Sequence, residues 1–301
     1  APGGIGRLSS DMRFSVARPA LALILAAAAA LAPRAPQAQT PLEVDVELVL
    51  AVDISRSMDI EELRIQRDGY VAALRDPEVI RAIEGGLLGR IAVKYFEWAG
   101  PGRRGVVSAW TLLDGPGAAN AFADGLAAGP ISAAVGTSIS GAIDYALDAF
   151  EGNGFEGLRR VVDISGDGPN NAGRPVTAAR DEAVAAGVVI NGLPLMIKAN
   201  DGPFSLRELD IYYEDCVIGG PLSFVLPLWE QGKFPETIRR KLILEIAAPR
   251  LAPPPSIATP ARLAPIPAQL GLGGQARAPR IDCLIGEKRR QRWMEGGGWE
   301  W

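Results

Sequence analysis

The stretch Val44-Asp45-Val46-Glu47-Leu48-Val49-Leu50-Ala51-Val52-Asp53-Ile54-Ser55-Arg56-Ser57-Met58-Asp59 decides the fold. It begins by alternating and then turns continuously apolar. That pattern suits a strand whose end is buried on both faces, as in a parallel sheet. A polar turn, residues 53–59, follows directly. Ile60, Leu63, Tyr70, Val71 and Leu74 then recur at helical spacing, and Pro77 is expected to end that helix. In open α/β sheets, ligands bind beyond the carboxyl ends of the strands, so this turn lies where a site belongs.

Outward from there, strand and helix signals alternate as far as Ala247. Residues 90–98 read as a second strand, and 106–113 as a third, its antiparallel edge partner. Residues 118–128 and 137–150 read as helices, 161–165 as a fourth strand, a helix opens at Pro175 and stops at Gly187, and 188–193 form a fifth strand. Residues 206–213 read as a helix, 223–226 as a short last strand and 235–247 as a closing helix. The alternation predicts an α/β class with a doubly wound, mostly parallel sheet flanked by helices, Rossmann-like, in a single domain over residues 39–247.

The two ends differ in character. Met12, Arg13 and Arg18 precede an apolar Ala/Leu run and then small residues and prolines up to Ala38. That order is expected of a secretory signal peptide, with residues 1–11 upstream of the start proper. The run is about 13 residues, short for a bilayer span, so no stable membrane span is expected once it is removed. Residues 248–280 are rich in Pro and Ala and read as a linker. Residues 281–301 hold a short basic helix and a tail expected to be disordered.

Export is expected to place the protein in a periplasmic or secreted setting, where a disulfide between Cys216 and Cys283 can persist. Two separate buried thiols are the alternative. The net charge of the 301 residues is −4, and the chain has no histidine. The absence of histidine excludes Ser-His-Asp and Cys-His catalysis, His-ligated zinc and any His-based pH switch. Residues 1–38 carry four Arg and one Asp, which leaves the remainder at −7. A mildly acidic body argues against a nucleic-acid partner.

Asp53, Ser55 and Ser57 alternate along the turn, so their oxygens can converge on one point of a curved loop. Hard oxygen donors suit Mg²⁺, with Mn²⁺ or Ca²⁺ as alternatives. Each residue also has an ordinary explanation. Ser57 or Asp59 can cap the helix that follows, Thr137 can cap its own helix, and Gly166-Asp167-Gly168 can be a tight turn. Asp163, inside the fourth strand, needs a partner, expected to be a Ser or an Arg. Asn170 and Asn171 are expected in a turn, Trp98 as a half-buried aromatic, and residues 212–215 as packing plus a solvated face.

The joint occurrence is more specific. Asp53-Ile54-Ser55-Arg56-Ser57 after a first strand, Gly136-Thr137-Ser138 opening a helix and Ser165-Gly166-Asp167-Gly168 after the fourth strand resemble the metal-ion-dependent adhesion site of von Willebrand factor A domains. The resemblance implies that the Ser55 and Ser57 hydroxyls contact a metal directly and that Thr137 does so in a ligand-competent state. Asp53 and Asp167 would act largely through water, and one position would stay open for a partner's Asp or Glu. The run Tyr212-Tyr213-Glu214-Asp215-Cys216-Val217-Ile218-Gly219-Gly220-Pro221 and Ile238-Arg239-Arg240-Lys241-Leu242 are similar to a bacterial group of exported A-domain proteins of unassigned function.

The expected function is therefore an exported, metal-dependent protein-binding module rather than an enzyme. Three other readings remain: an accessory subunit of a metal-using enzyme complex, a scaffold, or a weak metal-dependent hydrolase. No P-loop is visible to support the first. For hydrolysis, Asp163 is the only nearby acid that could be nominated as a base.

Overall fold

A computed structural model describes residues 40–197, 204–247 and 279–296. The expected signal segment, most of the Pro/Ala-rich linker and all but the first residue of the tail lie outside the described residues.

The stretch Glu47–Asp53 is strand β2, buried along its whole length after a short β1 at Leu42–Val44. Helices α1 (Ile60–Arg75) and α2 (Pro77–Glu84) follow, then β3 (Ile91–Trp98), β4 (Arg104–Val107) and β5 (Thr111–Leu113). Next come α3 (Pro116–Ala127), α4 (Ile139–Phe150), β6 (Phe155–Gly157), β7 (Arg160–Gly166), α5 (Val176–Ala185) and β8 (Val188–Pro194). The order closes with α6 (Leu209–Tyr212), α7 (Phe234–Ala247) and α8 (Ile285–Glu295).

The main sheet runs β4-β3-β2-β7-β8, with β5 also on β3, and β1 pairs with β6 in a separate small sheet. β3, β2, β7 and β8 are mutually parallel, and β4 and β5 are antiparallel to β3. From β2 the chain crosses first to β3 on one side and later to β7 on the other. The carboxyl end of β2 is thus the point where the winding reverses, which opens a crevice there.

Alternation along β2 sorts the core into two layers. Leu48, Leu50 and Val52 face one buried cluster with α1, α3 and α7, while Val49 and Ala51 face the other with α4 and α5.

Several expectations are corrected. Pro77 does not merely end a helix. It opens α2 at the first helical position, where its missing N–H costs nothing, and the Asp76 side chain caps it by accepting from Glu78 N at 2.7 Å. The expected third strand splits into β4 and β5, which pair with β3 one register step apart on either side of residues 108–110. The helix expected over 206–213 starts later and continues as a π-helical turn, Tyr213–Val217. The short last strand is reduced to isolated bridges, Gly192 to Val225 and Leu195 to Leu228; Leu226 N and Leu228 N donate to Gly192 O and Pro194 O, but Pro194 has no N–H to give in return.

Asp163 pairs with Lys241 at 2.8 Å, not with a Ser or Arg, and Lys241 also pairs with Glu245 one helical turn on. All three are fully buried. Burial works against the Lys241 charge, but Asp163 and Glu245 outweigh it and raise its pKa. Two carboxylates share one cation, so one is held less firmly. Burial first, and Asp163 second, push Glu245 up to about 7 from 4.5. Between those values the folded chain binds a proton that the unfolded chain releases. Stability from this group is therefore full below about pH 4.5 and is lost as pH rises to about 7. Glu245→Gln is expected to remove that slope, worth roughly 3 kcal/mol, in urea unfolding compared at low and neutral pH. An unchanged slope would show that Glu245 does not carry it.

Candidate metal centre

Asp53 ends β2 fully buried, and its Oδ1 accepts from Ser55 N at 2.7 Å, which curls the turn back on itself. Gln66 of α1 donates to the Asp53 carbonyl at 3.0 Å. The curl brings Ser55 Oγ to 2.8 Å from Ser57 Oγ. Ser57 Oγ donates to Asp167 Oδ1 at 2.6 Å, and Ser55 Oγ lies 3.5 Å from the same oxygen. Asp167 arrives from the end of β7, whose Ser165 stands opposite Val52 of β2.

The segment before α4 is stitched to this turn. Ala134 N donates to Ile54 O at 2.9 Å and Arg56 N to Ala134 O at 3.0 Å. That places Thr137 beside Ser55, Ser57 and Asp167 around one cavity. Asn171 holds Thr137 at both backbone atoms, accepting from its N at 3.0 Å and donating to its O at 2.9 Å.

The ordinary capping explanations fall to neighbours. Asp59 caps α1, accepting from Glu62 N at 2.9 Å while the Glu62 carboxylate accepts from Asp59 N at 2.8 Å. Ser138 caps α4 by accepting from Gly141 N at 3.2 Å. The N-caps of α1 and α4 are therefore Asp59 and Ser138, not Ser57 and Thr137.

Asp53 Oδ2 is buried without a hydrogen-bond partner among the described residues. Burial first, and the nearby Asp167 second, push the Asp53 carboxyl well above its usual range, against the Ser55 hydrogen bonds that favour its charge. A Cβ at Gly166 would lie 2.9 Å from Asp53 Oδ2 and 3.0 Å from the Tyr213 hydroxyl. Only glycine leaves that space open.

Two carboxylates, three hydroxyls and an orphaned buried oxygen fit a hard divalent cation, which would supply a Lewis-acidic position for an external carboxylate. Among the described residues no group of three or more His, Cys, Asp or Glu could hold a metal, so any site here depends on the hydroxyls.

Other candidates are relocated. Trp98 is fully buried opposite Asp53 rather than half-buried. Glu97 pairs with Arg67, which also donates to the Leu126 carbonyl at 2.9 Å. Asn170 and Asn171 lie in an irregular segment after β7 and not in a regular turn; Asn170 accepts from Ser140 N at 3.0 Å, and Asn171 lines the cavity. Residues 212–215 are packing plus a solvated face, as expected, and the packing reaches the candidate centre: the Tyr212 hydroxyl accepts from Asn170 N at 3.1 Å, and Tyr213 lies buried beneath Gly166. The sequence pattern marks this aromatic pair but carries no signal linking it to the Asp53 turn. Cys216 and Cys283 are bonded to each other.

A sheet wound in this order, with Asp-x-Ser-x-Ser at its reversal point and a Thr and an Asp delivered from neighbouring elements, defines a von Willebrand factor A-like domain. The chain belongs to the family described as Protein of unknown function (DUF1194), which matches residues 43–250.

Among solved structures it is similar to proximal thread matrix protein 1 from the mussel byssus, in a form with a zinc-occupied MIDAS motif. The identity is 13% and the TM-score 0.47, over 69% of this chain and 49% of that one. It is similar also to a von Willebrand factor type A protein from Catenulispora acidiphila, at 15% identity and TM-score 0.47, over 68% and 43% of the two chains. BatB from Bacteroides thetaiotaomicron matches at 16% identity and TM-score 0.40, over 67% and 98%. The chain thus spans about half the length of the first of these. No curated protein matches in sequence.

Proposed function

We propose that this chain is an exported protein-binding module in which Asp53, Ser55, Ser57, Thr137 and Asp167 hold Mg²⁺ and a partner's Asp or Glu completes the coordination. The observation that carries the reading is the convergence of Ser55, Ser57 and Asp167 oxygens within 3.5 Å, beside a buried Asp53 oxygen that lacks a partner among the described residues. The protein's part is to orient the hydroxyls and to leave one side open to the cavity.

The Cys216–Cys283 bridge supports an oxidising compartment, periplasmic or secreted. No described helix is long and apolar enough to cross a membrane. The reading assigns no catalysis. Asp163, the acid nominated as a base, is tied to Lys241 and does not line the cavity.

Mg²⁺ titration by calorimetry tests the reading. Saturable binding is expected, weakened at least about tenfold by Ser55→Ala through loss of a direct ligand. A titration with no heat at millimolar Mg²⁺ would remove the metal from the function. Partner capture from a periplasmic extract is expected to fail in chelator.

A further inference from the structure

The site opens into a cavity of about 520 Å³, well beyond what one carboxylate fills and within the ~300–1,000 Å³ of ordinary ligand pockets. Ser55, Ser57, Thr137 and Asp167 form one side of it. Apolar residues from four stretches outside the Asp53 turn line it too: Val135, then Leu195 and Ile197 just after β8, then Phe204, then Trp293 of α8. The Phe204 and Trp293 rings meet edge to face with centroids 5.7 Å apart. Arg56 and Arg290 of α8 line the cavity as well, and Arg290 reaches the Asn171 carbonyl at 3.5 Å. Among the described residues it meets no carboxylate.

Helix α8 is held firmly in this place, although it lies beyond the 43–250 stretch that the family shares. The Cys216–Cys283 bond ties its start to the π-helical turn. Glu287 accepts from Asn170 Nδ2 at 2.7 Å, and Arg289 donates to the Ser205 carbonyl. Gly286 sits directly on Asn170, where a Cβ would be only 2.0 Å from the Asn170 carbonyl oxygen. The helix therefore grips the same Asn170-Asn171 segment that holds Thr137. A wall fixed in advance costs little ordering when a ligand arrives.

We infer that α8 builds an apolar subsite beside the metal position, and that the partner segment is a peptide carrying an acidic residue next to a large apolar one. This rests on the metal-bridged reading above. The acidic group meets the metal position with the Arg56 and Arg290 guanidiniums at the rim, and the apolar side chain enters between Ile197, Phe204 and Trp293. Charge complementarity selects the anion, and the apolar wall selects its neighbour.

Two capped dipeptides test it: acetyl-Asp-Leu-amide and acetyl-Asp-Ser-amide, titrated calorimetrically into the whole protein with millimolar Mg²⁺. The Leu peptide is expected to bind about tenfold or more tightly than the Ser peptide, from burial of its side chain. Trp293→Ala, and separately Ile197→Ser on the opposite element, are expected to bring that ratio below about threefold while leaving Mg²⁺ affinity unchanged. Equal binding of the two peptides, no binding of either, or a preference that survives both variants overturns the subsite. If peptide binding is indifferent to chelator and to Asp53→Asn, it is the metal-bridged reading that fails instead.

Discussion

Lys241→Met is expected to destabilise the domain by roughly 3–5 kcal/mol, the usual cost of removing one partner from a buried ion pair. Lys241 lies in α7 with its side chain almost wholly enclosed, between Asp163 of β7 and Glu245 of its own helix. Its ammonium also sits 5.0 Å from the Phe224 ring centre. Methionine fills similar space but leaves two buried carboxyl groups without a cation. Both must then take up protons or stay charged in an apolar interior, so the loss should grow as pH rises. In a domain of this size the melting temperature is expected to fall by roughly 10 °C or more. The triple variant Asp163→Asn, Lys241→Met, Glu245→Gln removes every charge together and is expected to recover most of the stability. A loss below about 1 kcal/mol for Lys241→Met would mean that the trio is not an ion-paired unit.

Asp53→Asn should produce effects of opposite sign on stability and on binding. The substitution keeps the shape, and the side-chain oxygen can still accept from Ser55 N, a bond of 2.7 Å in the native chain. It removes a buried negative charge that faces Asp167, so the metal-free protein is expected to melt at or above the native temperature. With Mg²⁺ the order reverses. At a metal concentration about 100 times the dissociation constant, the native chain gains about 2.7 kcal/mol. The variant is expected to gain nothing measurable. Differential scanning fluorimetry with and without Mg²⁺ reads both effects in one experiment. An equal Mg²⁺-induced shift in the two proteins would take Asp53 out of the metal centre.

The architecture was largely legible in the chain, for a local reason. A strand buried on both faces is a continuous apolar run, as in Val49-Leu50-Ala51-Val52, and a helix on a sheet repeats its apolar residues every three or four positions. Short edge pieces carry no such signal. β1 and β6 pair over three residues each and went unread, and the division between β4 and β5 shows only in how each pairs with β3. Pro77 does follow the end of α1, as expected, but its opening of α2 was missed, because the same residue suits the end of one helix and the first turn of another. Asp76 serves both, as the C-cap of α1 and the N-cap of α2.

At the candidate centre the residue types were legible and their duties were not. Ser57 and Asp59 are both plausible caps on composition, as are Thr137 and Ser138. In the fold the capping bonds come from Asp59 and Ser138, so Ser57 and Thr137 turn toward the cavity. The part played by Tyr212 and Tyr213 beneath the turn was hidden, since a hydroxyl bonded to Asn170 N across 42 positions leaves no periodic trace.

By itself, then, the sequence determined the alternating α/β order, the Asp-x-Ser-x-Ser turn after a buried strand, and the presence of one cysteine pair. Each of these is a property of neighbours along the chain. The tertiary structure alone decided that β2 is central, so that the turn falls where the winding reverses. It decided that Asp163 answers to Lys241, and that α8 lines the cavity at the Asp-x-Ser-x-Ser turn. Those are contacts between residues tens of positions apart. They arise from packing both faces of one sheet at once, which no local pattern encodes.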